Sequence, residues 1–203
     1  MSEFTNLLKE SYEQKADERS KIHMDQWKIA ELNRFIEAAP PKGKLSLLDA
    51  GSGPGLQGEY LKENGFDVTC IDLSENMVKI CREKGLKAEL MDYFHMNLPT
   101  ESFDLIWSMN SLLHVPKKDF QKVIQNLKSI LKPNGLFYLG VYGGEDSEGI
   151  WEGDHYEPKR FFSFYKNEDI QHAVKEEFEL LDFKVIPMNG QGPDYQAMIL
   201  KKI

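Results

Sequence analysis

The sequence predicts an α/β fold: a seven-stranded, mostly parallel sheet with helices on both faces, a C-terminal antiparallel hairpin and an N-terminal helical cap. Three observations predict it. Apolar runs alternate with helical patterns through the middle of the chain, the rhythm of βαβ units whose parallel strands need helical crossovers. The first of these runs breaks into Asp49-Ala50-Gly51-Ser52-Gly53-Pro54-Gly55, a tight turn that opens onto a helix. The last two runs are joined by Asn189-Gly190-Gln191-Gly192-Pro193-Asp194, a connection suited to a hairpin.

Taken in order, residues 4 to 38 read as helical. Phe4, Leu7 and Leu8 share one face, and Ile22, Trp27, Ala30, Phe35 and Ile36 continue it around a polar stretch, until Pro40-Pro41-Lys42-Gly43 closes the segment. Residues 1–40 are therefore read as a helical cap and 41–203 as one compact α/β domain. Leu47-Leu48-Asp49 is the first strand, and a helix over 56–64 follows it, stopped by Gly65. Phe66 to Ile71 is a second strand ending in Asp72, Ser74 caps the helix after it, and Gly85 ends that helix. Lys87 to Met91 is a short third strand ending in Asp92, and Phe103 to Ser108 is the fourth. Phe120, Val123, Ile124, Leu127, Ile130 and Leu131 recur at helical spacing and mark a core-facing stripe. After Lys132-Pro133-Asn134-Gly135, residues 136–141 form a fifth strand. Residues 142–165 are irregular but rich in aromatics, which predicts an ordered loop over a pocket. Asn167 is expected to cap a helix to about Glu177, before strands over 178–187 and 195–202.

The chain has 203 residues and a net charge of −8, without a basic run of the kind that neutralises a phosphate backbone. A nucleic-acid partner is disfavoured. No basic leader precedes an apolar stretch and no run is long enough to span a bilayer, so no membrane partner is expected. Cys70 and Cys81 have neither metal-ligand nor disulfide-framework spacing, and a cytoplasmic location is the simplest reading. His155 among surface acids is a weak metal signal, and no metal is expected.

The glycine turn points to a nucleotide-like ligand, because glycine lets a ligand approach the main chain and a helix N-terminus presents unpaired N–H groups. Its register is informative. A dinucleotide turn, Gly-x-Gly-x-x-Gly, counted from Gly51 would place its third glycine at 56, which is Leu56; here the third falls at Gly55. With Asp49 two residues before the first glycine, the stretch resembles the first motif of class I S-adenosylmethionine-dependent methyltransferases. Ile71-Asp72-Leu73-Ser74 and Leu131-Lys132-Pro133-Asn134-Gly135 extend the resemblance over nearly the whole chain. Ser52, where the family often has Cys, and Asn134, where Gly is common, are mild departures. The resemblance implies a Rossmann-like fold with the same antiparallel ending.

It also implies a site. An acid at the second strand's end, Asp72, accepts from ribose hydroxyls, and one after the third, Asp92, accepts from an adenine amino group, with Leu73 and Tyr93 beside them. Met77 either packs on the adenine face or is core. Gly51, Ser52 and Gly53 hold the methionine end, near Met109 and Asn110 at the fourth strand's end. The Tyr-x-x-x-Ala prefix implies that Tyr12, with Arg19, touches the methionine end; an ordinary solvated helix face is the other reading. His114, in Leu112-Leu113-His114-Val115-Pro116, is either a general base, suited by a pKa near neutrality, or a residue that holds its loop by hydrogen bonds. Arg160 either pairs with a carboxylate of substrate or cofactor, with Tyr142, Phe161 and Tyr165 forming an acceptor wall, or anchors the loop by packing. The expected function is methyl transfer from S-adenosyl-L-methionine to a small molecule, by a monomer or homodimer. A nicotinamide-dependent oxidoreductase and a non-catalytic S-adenosylmethionine-binding module are the alternatives.

Overall fold

The computed structural model describes residues 3–41, 43–190 and 192–203. Met1 and Ser2 at the N-terminus, the Glu3 and Phe4 side chains, Lys42 and Gln191 lie outside the described residues. Three helices open the chain: α1 (Glu3–Gln14), α2 (Ala16–Ser20) and α3 (Gln26–Ala38). The single helical prefix expected from periodicity is thus broken twice, at Lys15 and over residues 21–25. There follow β1 (Ser46–Ala50), α4 (Leu56–Glu63), β2 (Asp67–Asp72), α5 (Glu75–Glu83), β3 (Lys87–Leu90) and β4 (Phe103–Met109). A short 3-10 turn, Leu112–His114, leads into α6 (Lys117–Ile130) and β5 (Leu131–Gly143). The chain closes with β6 (Ser147–Ile150), β7 (Phe161–Phe164), α7 (Asn167–Lys175), β8 (Phe178–Ile186) and β9 (Asp194–Lys202).

Seven strands form one sheet in the order β3-β2-β1-β4-β5-β9-β8. The first five are mutually parallel; β9 runs antiparallel to β5 and to β8, as the closing hairpin predicts. Strand order reverses between β1 and β4, and a ligand crevice in such a sheet opens beyond the carboxyl ends at that reversal.

Alternation along each strand divides the core between the two faces. Leu48, Ile106 and Phe137 face the α6 stripe, all of whose expected residues are buried, together with Ile170 and Val174 of α7. Leu47, Leu105 and Trp107 face the other layer, with Leu32 and Phe35 of α3, Leu61 of α4 and Cys81 of α5. α3 is therefore part of the sheet's core, whereas α1 and α2 reach the cleft. The expected division at residue 40 separates α3 from the sheet on which it packs.

Three local details differ from expectation. β5 starts directly after α6, and its register against β4 jumps from Leu131 to Leu136; Asn134, at φ +62°, takes the left-handed conformation in the irregular step, which asparagine tolerates well. The aromatic stretch after β5 contains an antiparallel pair, β6–β7, whose aromatics pack inward. Asn167 does not cap α7 but is its first residue, and its Oδ1 accepts from Gln196 Nε2 at 2.8 Å. Ser74 does cap α5, its Oγ accepting from the Met77 amide at 3.2 Å.

Candidate functional site

A cleft opens beyond the carboxyl ends of β1, β2 and β4, with about 1060 Å³ of empty space including its solvent-open mouth. Its floor is built from the turns after those strands. Gly51 and Gly53 have φ of +77° and +53°, conformations that L side chains rarely adopt. A Cβ on Gly51 would lie 1.9 Å from Ser111 Oγ and 2.7 Å from the Tyr93 hydroxyl, whereas the nearest atom to one on Gly53 is Arg19 Nη2 at 3.6 Å. The main chain is folded tightly at the first glycine and open to the cleft at the second.

Asp72 ends β2 with each carboxylate oxygen accepting one amide: Oδ2 from Gly53 at 2.8 Å and Oδ1 from Ser74 at 2.9 Å. Burial pushes its pKa up, against these amides and the Arg19 charge, which pull it down. Asp92 stands behind β3, with Oδ1 accepting from the Phe94 and His95 amides at 2.7 and 2.9 Å. Burial raises its pKa, but the His95 ring and these amides outweigh it and hold the carboxyl below its ordinary range. Leu73, Tyr93, Ser52, Met109 and Asn110 complete the floor. Asn110 sits at φ +56°, and its Oδ1 is buried without a hydrogen-bond partner.

The roof comes from distant parts of the chain. Tyr12 and Arg19, from α1 and α2, and His114, from the 3-10 turn, line the cleft. Tyr12 Oη lies 2.9 Å from His114 Nε2 and accepts from Arg160 Nη1 at 3.0 Å. His114 Nδ1 lies 2.7 Å from the Phe161 carbonyl oxygen. Burial first, then the Arg160 charge, depress the His114 pKa to about 3, so the ring is neutral near pH 7. Arg160 donates to both oxygens of Asp154, from Nε at 2.9 Å and Nη2 at 2.7 Å, and lies 3.7 Å over the Tyr156 ring. Arg19 Nη1 donates to the Tyr156 hydroxyl at 2.9 Å, while its Nε is buried without a partner.

The structure brings Tyr12, Gly51, Ser52, Gly53, Asp72, Leu73, Asp92, Tyr93, Met109, Asn110 and His114 to one cleft. Six expected residues are not on its walls. Asp49 is buried beneath α4, where its Oδ2 approaches Gly58, and it has no opening to the crevice. Met77 is core, on the buried stripe of α5 with Val78 and Cys81. Arg160 donates three N–H groups to Asp154 and Tyr12, lies over the Tyr156 ring and is not on the cleft wall; it anchors its loop. Phe161 meets His114 through its carbonyl, Tyr165 packs on Phe120, and Tyr142 packs on Tyr195. Thr5, Leu8, Lys28, Gln57 and Phe94 line the cleft without having been expected there. Thr5, Leu8 and Tyr12 follow at i, i+3 and i+7, so the face of α1 that carries them was present as a pattern.

A family model described as a methyltransferase domain matches residues 48–139. The chain is 33% identical over 106 residues to a ubiquinone biosynthesis O-methyltransferase of Coxiella burnetii, covering 49% of this chain and 44% of that protein. It is 36% identical over 114 residues to the protein of the same name from Xanthomonas oryzae pv. oryzae, covering 53% and 47%. The chain thus spans about half the length of the curated relatives it matches. Among solved structures, the Burkholderia thailandensis 1,6-didemethyltoxoflavin-N1-methyltransferase, with bound 1,6-didemethyltoxoflavin and S-adenosylhomocysteine, superposes with a TM-score of 0.78 at 17% identity, over 98% of this chain and 89% of that one. A (4+2)-cyclase superposes at 0.71 with 18% identity, over 90% and 84%. At such identities these two likenesses show the fold.

Proposed function

We propose that the chain, whose residues 48–139 match a methyltransferase-domain model, is a class I S-adenosylmethionine-dependent methyltransferase that transfers the methyl group to a small-molecule acceptor. The observation that carries the proposal is the cleft floor: an open glycine backbone at Gly53 held against Asp72, with Asp92 one strand further along. The groups present fit the cofactor. Each Asp72 oxygen accepts one amide and retains a lone pair, which suits two ribose hydroxyls. Asp92, held ionised by the His95 ring and by its amide contacts, suits an adenine amino group. Two of the buried polar atoms without a partner, Asn110 Oδ1 and Arg19 Nε, belong to cleft-lining residues and suit the ammonium and carboxylate of an amino acid.

When bound, the sulfonium supplies an already activated methyl group. The protein's own task is then to position the nucleophile and keep water out, and alignment alone contributes roughly 7–11 kcal/mol in favourable cases. α1 and α2 cover the cleft and supply part of that enclosure. In this proposal residues 1–40 act as the cap and 41–203 as the methyltransferase unit, with α3 serving the core. The chain works in the cytoplasm as a monomer or homodimer, without nucleic acid or membrane. Its net charge of −8 supports the first absence, and no helix among the described residues is long and apolar enough to cross a membrane.

Calorimetry tests the cofactor: S-adenosylhomocysteine should bind and NADH should not, and Asp72→Ala should remove the binding. The reverse preference would return the oxidoreductase reading. Since a cyclase shares the fold, turnover needs its own assay. Homocysteine-linked screening of a metabolite pool, followed by mass spectrometry for the gain of one methylene, identifies the acceptor. Binding without any product would favour the non-catalytic module.

A further inference from the structure

The hydrogen bonds at the roof determine what the cleft offers to an acceptor. A phenol has one proton to give and two lone pairs. The Phe161 carbonyl can only accept, so His114 Nδ1 carries the ring proton and Nε2 is bare. Tyr12 must therefore donate its own proton to Nε2, at 2.9 Å. Arg160 Nη1 donates into one Tyr12 lone pair at 3.0 Å, with Nε and Nη2 held by Asp154. One lone pair of Tyr12 is left over. Tyr12 and His114 both line the cleft, beside the apolar side chains of Leu8, Phe94, Val115 and Pro116. Here Tyr12 itself presents a hydrogen-bond acceptor and no donor to the cleft.

Resting on the methyltransferase reading above, we propose that Tyr12 recognises the proton on the acceptor's nucleophile, and that the acceptor is a neutral O–H or N–H group on an apolar body. His114 is then a positioning residue. It fixes the direction of the Tyr12 proton and so leaves the lone pair turned to the ligand. Arg160 and Asp154 hold the same hydroxyl from behind. Aprotic isosteres, and molecules whose last O–H or N–H proton has been replaced by methyl, bring a lone pair or a methyl group against the Tyr12 lone pair and are rejected; this rejection also clears such a methylated product.

Two probe pairs test this, 2-naphthol against 2-methoxynaphthalene and indole against 1-methylindole. Binding is titrated by NMR on the full chain, with and without S-adenosylhomocysteine. The protic member of at least one pair should bind about tenfold tighter to the wild type, the size of one net hydrogen bond. Tyr12→Phe, which deletes only the hydroxyl, should abolish the preference. His114→Leu should abolish it as well, while His114→Gln, whose amide oxygen still accepts the Tyr12 proton, should retain it. Thermal melts show that each variant is folded. No preference in the wild type, or a preference that survives Tyr12→Phe, overturns the proposal; equal behaviour of the Leu and Gln variants overturns the positioning role. Failure of S-adenosylhomocysteine to bind the wild type would instead sink the methyltransferase reading, and the probe preference remains measurable on the ligand-free chain.

Discussion

The floor and the roof of the cleft are held in different ways. Gly51, Gly53, Asp72 and Asp92 each stand within a few residues of a strand end, and the sheet delivers them together through backbone geometry. The roof is a relay of side chains, Asp154–Arg160–Tyr12–His114, whose members meet across 102 and 148 positions of sequence. A floor made of backbone leaves no slack at its glycines but needs few specific side chains. A roof made of side chains fails wherever one link is removed, because each link leaves a buried polar group behind.

The sharpest way to break this contrast is Asp154→Ala. The pair it removes is nearly dry, with side-chain exposures of 13% for Arg160 and 2% for Asp154. Deleting one partner of such a pair costs about 3–5 kcal/mol, because the other charge stays buried and uncompensated. Urea unfolding should show that loss, while S-adenosylhomocysteine affinity falls by much less. Equal loss of both would mean that floor and roof are one cooperative unit. Gly51→Ala should do the opposite. Its Cβ would meet Ser111 and Tyr93 and would need a positive φ, for about 2–4 kcal/mol of stability. Here calorimetry should register more than a tenfold loss of S-adenosylhomocysteine binding even where the variant is folded.

Acid next separates His114 in the roof from two carboxylates of the floor, with opposite signs. His114 is held near a pKa of about 3 in the folded protein, chiefly by burial, so the unfolded chain binds a proton that the native one refuses. Its contribution to stability is therefore present at neutral pH and is lost as pH falls from about 6.5 toward 3. Asp49 and Asp72, beneath and in the floor, are pushed up by burial, so they bind protons first in the folded state and gain stability as pH falls toward the ordinary carboxylate range. Between pH 7 and pH 5 the His114 share is about 2 kcal/mol. The difference between wild-type and His114→Gln unfolding free energies should shrink by that amount over this interval. A constant difference would show that His114 titrates normally.

The same contrast explains what the sequence revealed. Asp72, Asp92 and the glycine register are local patterns, and so is the α6 stripe, every member of which is buried. Where reading failed, a second element decided the outcome. Met77 and Asp49 are each next to a floor residue in sequence or motif, but α5 and α4 pack against them from the far side. Arg160 reads as a cation awaiting an anion until folding brings Asp154 around it, through a loop whose β6–β7 pairing has no local signature stronger than its aromatics. The breaks between α1, α2 and α3 were hidden because the apolar spacing resumes in α3 after the polar stretch that contains α2.

Glu13 is where the roof rests on the floor's neighbour, and it carries the smallest expected effect. Its carboxylate accepts from the Glu75 and Asn76 amides at 2.6 and 3.2 Å, the first turn of α5, directly after Asp72-Leu73-Ser74. Beside it Lys9 reaches Glu75 at 3.0 Å, an exposed pair of little worth. An anion at a helix N-terminus contributes about 0.3–1 kcal/mol when exposed, so Glu13→Gln should lower unfolding free energy by no more than that. Hydrogen exchange gives the finer measurement. If α1 is tied down mainly through Tyr12, amides of α1 will exchange little faster in Glu13→Gln and much faster in Tyr12→Phe. The reverse order would make the carboxylate cap the true hinge of the roof, and would shift the origin of cleft closure from the relay at His114 to the start of α5.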